Sequence, residues 1–250
     1  MSYYSLTLPS KKEDILSKTF TIDDYISVIQ LVNTDDIKGL DLFVEEKFKE
    51  YTKKDITLYS ADKFAYLLAQ RIISNNEKIT LKTGTDSTFS LDLFKIYQDL
   101  LEHSFKIEEV IDYKGIKIKI GLPFSLSFKD NIQIHSINDK ILRENSKASD
   151  LPQSAFNKIT EFYNFNNNLI VQDYFSSIFK GKFTFNNESF LFLIKFIYGE
   201  DISSIYENFF TLCKGYNYDI GVMKGFTLRE LYLHIILVNN YVKEQNKKKQ

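Results

Sequence analysis

The chain has 250 residues, of which 44% are hydrophobic and 26% are charged, so it is long enough for one large domain or two small ones. Its 32 basic and 33 acidic side chains are well mixed and give a formal net charge of −1, which argues against a surface for nucleic acid or an anionic membrane. Cys213 is the only cysteine, so the chain has neither an intramolecular disulfide nor a cysteine-rich metal site.

The first fifty residues alternate between strand and helix patterns. Apolar residues alternate over residues 3–8, and a second strand over 14–20 is expected to pair with the first across the turn at 10–12. Thr21 is a good N-cap for a first helix. A second helix follows residues 35–36, and we expect its charged side chains to face solvent.

Residues 60–81 predict a helix that runs through a short turn into a strand. Apolar residues at three- and four-residue spacing predict one buried face, with Ser60 as the N-cap and Asp62 in the first turn. Arg71 lies in the middle of this helix on its apolar side. A buried arginine usually pairs with a carboxylate, so we expect a structural role for Arg71 rather than contact with a ligand.

The middle of the chain predicts a helix over residues 90–102 and then a β-hairpin that turns at 112–115. The second strand of the hairpin alternates lysines with three apolar residues, Ile116, Ile118 and Ile120. Residues 129–152 are polar, with a short helix expected over 138–144, and they predict a linker.

The pattern after the linker is almost wholly helical. The expected helices cover residues 153–165, 170–179, 187–198, 202–214 and 227–244. Thr227 and Glu230 form a capping-box pair at the start of the last one. We therefore expect an α+β fold, with a small N-terminal strand-and-helix domain over 1–128 and an all-helical C-terminal domain over 153–245, joined by the linker at 129–152.

Residue chemistry gives no convincing reaction site. His103, His135 and His234 are far apart in the sequence and have no metal-type partner; His103 ends a predicted helix, where a histidine suits the dipole. No motif of a catalytic nucleophile or of a phosphate-binding loop is present. We therefore expect no catalytic, cofactor-binding or metal-binding residues and no cofactor. The aromatic-rich C-terminal helices are expected to form core, with a protein interface as the alternative.

Three short motifs occur in a characteristic order in the first half. Leu8-Pro9-Ser10 ends the first strand, and the helical segment AYLLAQR at 65–71 leads into the basic strand KITLK at 78–82. The later strand ends in IKIKIGLP at 116–123. In this order the motifs resemble those of the T4-type phage baseplate hub protein family, which includes the hub subunit and the hub assembly catalyst. The resemblance covers residues 3–125.

The resemblance implies a non-enzymatic morphogenesis protein that assists assembly of the tail baseplate hub by binding other hub proteins. A second copy of the chain is a further candidate partner. It implies action in the host cytoplasm during assembly, with the tail baseplate of the virion as a second location. The alternative is a soluble enzyme or regulatory domain of a low-GC bacterium with an unrecognised site. The expected contact residues lie on the strand at 116–120 and on the C-terminal helices: Ile116, Ile118, Ile120, Phe190, Phe192, Phe209, Phe210, Leu231 and Ile235.

Overall fold

The structure is a computed structural model, and it describes residues 3–75, 78–82, 88–128, 132–141, 155–167, 170–171, 183–184, 186–199 and 202–248. The strands in these residues are β1 (Tyr3–Thr7), β2 (Asp14–Lys18), β3 (Lys78–Lys82), β4 (Thr88–Asp92), β5 (Glu108–Tyr113), β6 (Ile116–Gly121), β7 (Gln133–Ile137), β8 (Lys140–Ile141), β9 (Ile170–Val171) and β10 (Phe183–Thr184). The helices are α1 (Ile22–Asn33), α2 (Ile37–Thr52), α3 (Ser60–Asn75), α4 (Leu93–Glu102), α5 (Phe156–Asn167), α6 (Asn187–Tyr198), α7 (Ser203–Tyr216), α8 (Ile220–Lys224) and α9 (Leu228–Lys248).

The N-terminal hairpin and the first two helices agree with the sequence analysis. β1 and β2 pair antiparallel. Thr21 and Asp24 form a reciprocal capping box at the start of α1. Asp36 caps α2 by accepting a hydrogen bond from the N–H of Gly39. These side chains satisfy backbone donors that the first turn of a helix otherwise leaves unpaired.

Helix α3 is the centre of the fold and is covered on all sides. Every side chain from residue 60 to residue 71 is buried, and α3 contacts α2, α4, α6 and α9. The sequence predicted a single buried face, and the buried surface is wider because helices from both halves of the chain pack around α3. Ser60, the predicted N-cap, is itself the first helical residue. Asp62 takes the capping role by accepting a hydrogen bond from the N–H of Tyr59.

A second hairpin precedes α4. The basic strand β3 was predicted, and it pairs antiparallel with β4, with Lys78 opposite Asp92. The predicted helix start at residue 90 is wrong, because residues 90–92 belong to β4. Asp92 ends the strand and caps α4 by accepting a hydrogen bond from the N–H of Lys95. One aspartate thus completes the pairing of the strand and begins the helix.

An antiparallel four-stranded sheet follows, in the order β5-β6-β7-β8. The predicted hairpin of β5 and β6 is confirmed, and Gly115 in its turn has a φ of 81°, which glycine adopts without strain. The helix expected over 138–144 is wrong for residues 138–141. Asn138 and Asp139 have φ values of 46° and 64° and form the turn between β7 and β8. Part of the expected linker therefore belongs to this sheet.

Helix α5 packs with the four-stranded sheet, and the C-terminal helices follow it. The predictions of α5, α6, α7 and α9 are confirmed, whereas α8 was not predicted. A helix was expected over 170–179; residues 170–171 form β9 instead, and 172–179 lie outside the described residues. The sheet and α5 share a small core of their own, formed by Ile111, Ile118, Ile120, Ile132, Ile134, Ala155, Ile159 and Phe162.

The C-terminal helices share the main core with the N-terminal elements. The ring of Phe190 on α6 stacks on the ring of Phe64 on α3, with their centroids 4.7 Å apart. The hydroxyl of Tyr198 donates to the carbonyl oxygen of Leu67 at 2.7 Å. The fold class is α+β with a helical C-terminal part, as predicted, while the limits of the two domains stay a prediction. No helix in the described residues is long and apolar enough to span a membrane.

Candidate functional site

A buried ion pair joins α2 to α3. The side chain of Lys63 is 1% exposed, and its ammonium lies 3.0 Å from Asp41 Oδ1 and 2.6 Å from Glu45 Oε1. Asp41 also accepts hydrogen bonds from the N–H of Leu126 and the hydroxyl of Ser125. A buried cation and its carboxylates must find one another, because an unpaired charge inside a protein is strongly unfavourable. The pair therefore fixes α2, α3 and the segment after β6 in one arrangement.

A second polar cluster connects α1 with α2. The hydroxyl of Tyr51 donates to Asp24, and the ammonium of Lys47 lies 3.0 Å from Asp24 Oδ1 and 2.9 Å from Glu50 Oε2. Burial and the hydrogen bond to Asp24 raise the pKa of Tyr51 well above its usual value. The expectation that the charged side chains of α2 face solvent is therefore wrong for Lys47, because Asp24 draws its ammonium towards α1.

His135 of β7 ties the four-stranded sheet to the segment that follows β6. Its Nδ1 lies 3.0 Å from Glu108 Oε1, and its Nε2 lies 2.9 Å from the carbonyl oxygen of Leu122. The imidazole stacks on the ring of Phe124 at 4.2 Å between centroids. Burial lowers the pKa of His135, although both hydrogen bonds oppose that effect. Glu108 also accepts a hydrogen bond from the hydroxyl of Tyr59, just before α3.

His103 follows the last residue of α4. The positive charge near this helix end comes from Lys12, in the turn between β1 and β2. The ammonium of Lys12 donates to the carbonyl oxygens of Leu101 and His103. Burial, together with the charge of Lys12, lowers the pKa of His103 to about 4. The expectation that His103 itself complements the helix dipole is therefore corrected, since the imidazole stays neutral at pH 7 and Lys12 supplies the positive charge.

The lowered pKa of His103 predicts a loss of stability in acid. The unfolded chain protonates this histidine below about pH 6.5, whereas the folded protein resists protonation down to about pH 4. Unfolding therefore takes up a proton in this window, and the free energy of unfolding falls as the pH is lowered, by at most about 3 kcal/mol from this group. Urea unfolding of the wild type and of His103→Gln, at steps between these pH values, measures the difference.

The two unfolding curves provide their own control. His135 and the carboxylates contribute equally to both proteins, so the wild type should lose more stability than His103→Gln between pH 6.5 and pH 4. Parallel curves would show that the folded protein binds the proton at His103 as readily as the unfolded chain does.

The buried polar groups position secondary structure elements. Asp62, for example, accepts hydrogen bonds from Tyr59 and Ser10, and these bonds oppose the burial that raises its pKa. Within the part of the chain that the structure describes, no three His, Cys, Asp or Glu side chains lie together as metal ligands. The structure also has an apolar cleft between α7 and α8, and none of the side chains with a shifted pKa described above lines it.

That cleft is the candidate functional site; it is open to solvent and has a volume of about 750 Å³. Asn217 ends α7 in a left-handed conformation and Asp219 caps α8, so a short turn separates the two helices, which contact each other. Phe209 and Leu212 on α7 are buried in the core. Phe210, the residue directly after Phe209, is 62% exposed. The cleft is lined by Ser203, Tyr206, Glu207, Phe209, Phe210, Thr211, Cys213 and Ile220.

The outer surface of α9 is apolar as well. Leu233, Ile236, Leu237 and Tyr241 are exposed, while Leu228 and Leu231 are buried. Half of the large hydrophobic side chains that are exposed among the described residues lie between residues 206 and 242. Soluble monomers rarely expose large apolar patches without a binding role, so the grouping of these side chains in the C-terminal helices indicates a contact surface. The sequence analysis missed these α9 residues, although their three- and four-residue spacing in a helix that already has an apolar face could have indicated them.

The structure distributes the nine expected contact residues between core and surface. Phe192, Phe210 and Ile116, which lies next to the hairpin turn, are exposed, and Ile235 is partly buried against the core. The buried ones are Ile118, Ile120, Phe190, Phe209 and Leu231. Buried side chains give a partner no surface, so our interface proposal moves to the exposed residues. Arg71 is buried, and its guanidinium lies 5.4 Å from the ring centroid of Tyr25.

Comparison with known proteins now gives the class of the protein. The family model of the T4 bacteriophage base plate protein matches residues 1–223. The match covers most of the chain, so the chain belongs to this family and is a phage baseplate protein. The resemblance of the sequence motifs to a T4-type baseplate family is thereby confirmed. No curated protein and no solved structure matches the chain. The cleft-lining residues lie inside the matched residues, whereas α9 begins after them.

Proposed function

We propose that this chain is a non-enzymatic assembly protein of the tail baseplate hub, which binds other hub proteins and a second copy of itself. Family membership implies contact with other phage baseplate proteins. The observation that carries the finer proposal is the exposed apolar cleft between α7 and α8, inside the residues that the family model matches. The protein would act in the host cytoplasm while the hub is built and then lie in the tail baseplate.

The composition of the cleft supports binding of protein rather than of a small polar molecule. Two aromatic side chains, Tyr206 and Phe210, project from α7, and Ile220 faces them from α8. The ammonium of Lys214 lies 4.9 Å from the ring centroid of Phe210 and gives the apolar surface a charged edge. Aromatic residues at the centre with charge at the rim are typical of protein interfaces. A helix with an apolar stripe on the partner would fit such a cleft.

Replacement of Phe210 should weaken binding without loss of stability. Phe210→Ser removes the most exposed aromatic side chain of the cleft, and truncation of a central interface aromatic typically costs about 2 kcal/mol of binding, or more than tenfold in affinity. Because the side chain is exposed, the free energy of unfolding should change by less than about 0.5 kcal/mol. Tagged protein in a phage-infected lysate, with mass spectrometry of the bound proteins, measures the capture of hub proteins.

Phe156→Ser is the matched control, since Phe156 is 54% exposed on α5 and does not line the cleft. Wild type and Phe156→Ser should capture hub proteins equally, and Phe210→Ser should capture less than a tenth as much. Equal capture by all three proteins would place the contact elsewhere on the chain. Wild-type protein that captures baseplate proteins but none of the hub would contradict the hub proposal.

A further inference from the structure

Helix α9 is apolar on two opposite faces. Its inner face, with Leu228 and Leu231, is buried in the main core, and Ile235 and Val238 pack against that core. Its outer face carries Leu233, Ile236, Leu237 and Tyr241, all exposed. A helix that is apolar all round is normally covered on every side. The outer face of α9 thus has the composition of a contact surface.

The C-terminal part of α9 extends past the body of the protein. From Asn239 to Glu244 every side chain is exposed, including Tyr241 and Val242. A short helical segment without packing is only marginally stable in water, because helices of this length are held mainly by tertiary contacts. A second helix beside this segment would supply such contacts.

Charged residues indicate which helix packs beside α9, because side chains of opposite sign lie on the two sides of its outer face. At seven-residue spacing, Arg229 and Lys243 lie in one row with Ile236 between them. Glu230 and Glu244 lie in the neighbouring row with Leu237 between them; Glu230 also accepts a hydrogen bond from the N–H of Thr227 at the start of the helix, so Glu244 is the acid that the pairing uses. Residues seven apart lie on the same side of a helix, so one edge of the outer face is basic and the other is acidic. This surface is complementary to itself.

We propose that α9 pairs in parallel with the α9 of a second copy of this chain. A two-fold axis parallel to the helices places the basic row of each copy against the acidic row of the other, so that Lys243 meets Glu244 of the second copy. An antiparallel pair would bring acidic row to acidic row and basic row to basic row. The inference rests on the self-association in our proposed function and specifies its surface, which is distinct from the cleft between α7 and α8.

The first test is the mass of the purified full-length chain by sedimentation velocity. The chain has a mass of 29.3 kDa, and we expect a dimer that dissociates on dilution from about 100 μM to about 1 μM, since the apolar stripe is narrower than a standard interface. Leu237→Ser should raise the dissociation constant at least tenfold. Leu42→Ser is the matched control, because Leu42 is an equally exposed leucine on α2 and should leave the dimer unchanged.

Two charge variants test the parallel arrangement. Lys243→Glu places acid against Glu244 of the other copy, and Glu244→Lys places base against Lys243, so each variant alone should associate about tenfold more weakly than the wild type. Mixing the two variants should restore a heterodimer with wild-type affinity. A wild type that stays monomeric at the highest concentration would overturn the pairing, as would variants that fail to prefer each other on mixing. If the protein is monomeric but still captures hub proteins, the pairing through α9 is overturned and the proposed binding of hub proteins stands.

Discussion

Lys63→Met should destabilise the protein by about 3 to 5 kcal/mol, because it leaves Asp41 as a buried carboxylate without its cation. The loss comes from the unpaired charge and not from packing, since methionine fills a similar volume. Urea unfolding followed by circular dichroism at neutral pH measures it. A loss of this size is a large fraction of the stability of a typical domain, about 5 to 15 kcal/mol, so part of the protein should be insoluble when expressed at 37 °C.

A double variant separates charge from shape. In Lys63→Met/Asp41→Leu both charges are absent, so the destabilisation should be well below the sum of the two single variants. It should not vanish, because Asp41 also accepts hydrogen bonds from Leu126 and Ser125. Lys49→Met is the exposed control: its pair with Asp55 lies in solvent, and its loss should change stability by less than about 0.5 kcal/mol. Additive single variants would show that the two charges do not interact in the folded protein.

Asp62→Ala should cost about 3 kcal/mol, because one buried carboxylate holds the β1–β2 turn against α3. Asp62 accepts hydrogen bonds from the N–H of Ser10 at 3.0 Å, the hydroxyl of Ser10 at 2.7 Å and the N–H of Tyr59 at 3.0 Å. Alanine leaves those donors without an acceptor inside the protein, and each buried unsatisfied group costs about 1 to 3 kcal/mol. Thermal and urea unfolding measure the change.

Ser10→Ala is the graded comparison, since it removes only the hydroxyl and leaves the two backbone donors bonded to Asp62. It should cost about 1 kcal/mol. Amide exchange at Ser10 gives a local measurement, and Asp62→Ala should increase its rate far more than Ser10→Ala does. If both variants were equally stable, the carboxylate would contribute no more than one hydroxyl contact.

The elements that the sequence predicted correctly carry local signals. Thr21 and Asp24 begin α1 through bonds within one turn, and Thr227 and Glu230 do the same for α9. The β5–β6 hairpin is specified by its turn, where Gly115 takes a φ that few other residues adopt. Such signals lie within a few residues of one another, so they can be identified in the sequence without the fold.

The elements that the sequence missed depend on partners outside their own segment. β4 is a strand because it pairs with the preceding strand β3, and β7 because it pairs with β6, although both segments look helical or irregular in isolation. The polar contacts were missed for the same reason, since their partners are far apart in the sequence. Lys63 and Asp41 are separated by 22 residues, and Asp62 and Ser10 by 52.

The exposed surface could be predicted only in part. The sequence analysis expected both Phe209 and Phe210 to contact a partner, but it could not show that Phe209 is covered while its neighbour Phe210 is exposed. That distinction is set by the packing of the C-terminal helices around α3, which no local pattern records.

The long sequence separation of the contacts around α3 has a consequence for synthesis. The β1–β2 hairpin is complete by residue 18, yet its turn is held by Asp62 and by the bonds from Lys12 to Leu101 and His103. Packing of the central helix α3 is completed later still, because Tyr198 and Phe190 contact it only after they have left the ribosome. Folding of the whole core is therefore delayed until late in translation. Until then the nascent chain exposes α3, whose side chains from residue 60 to residue 71 are all buried in the finished fold, to solvent and to chaperones.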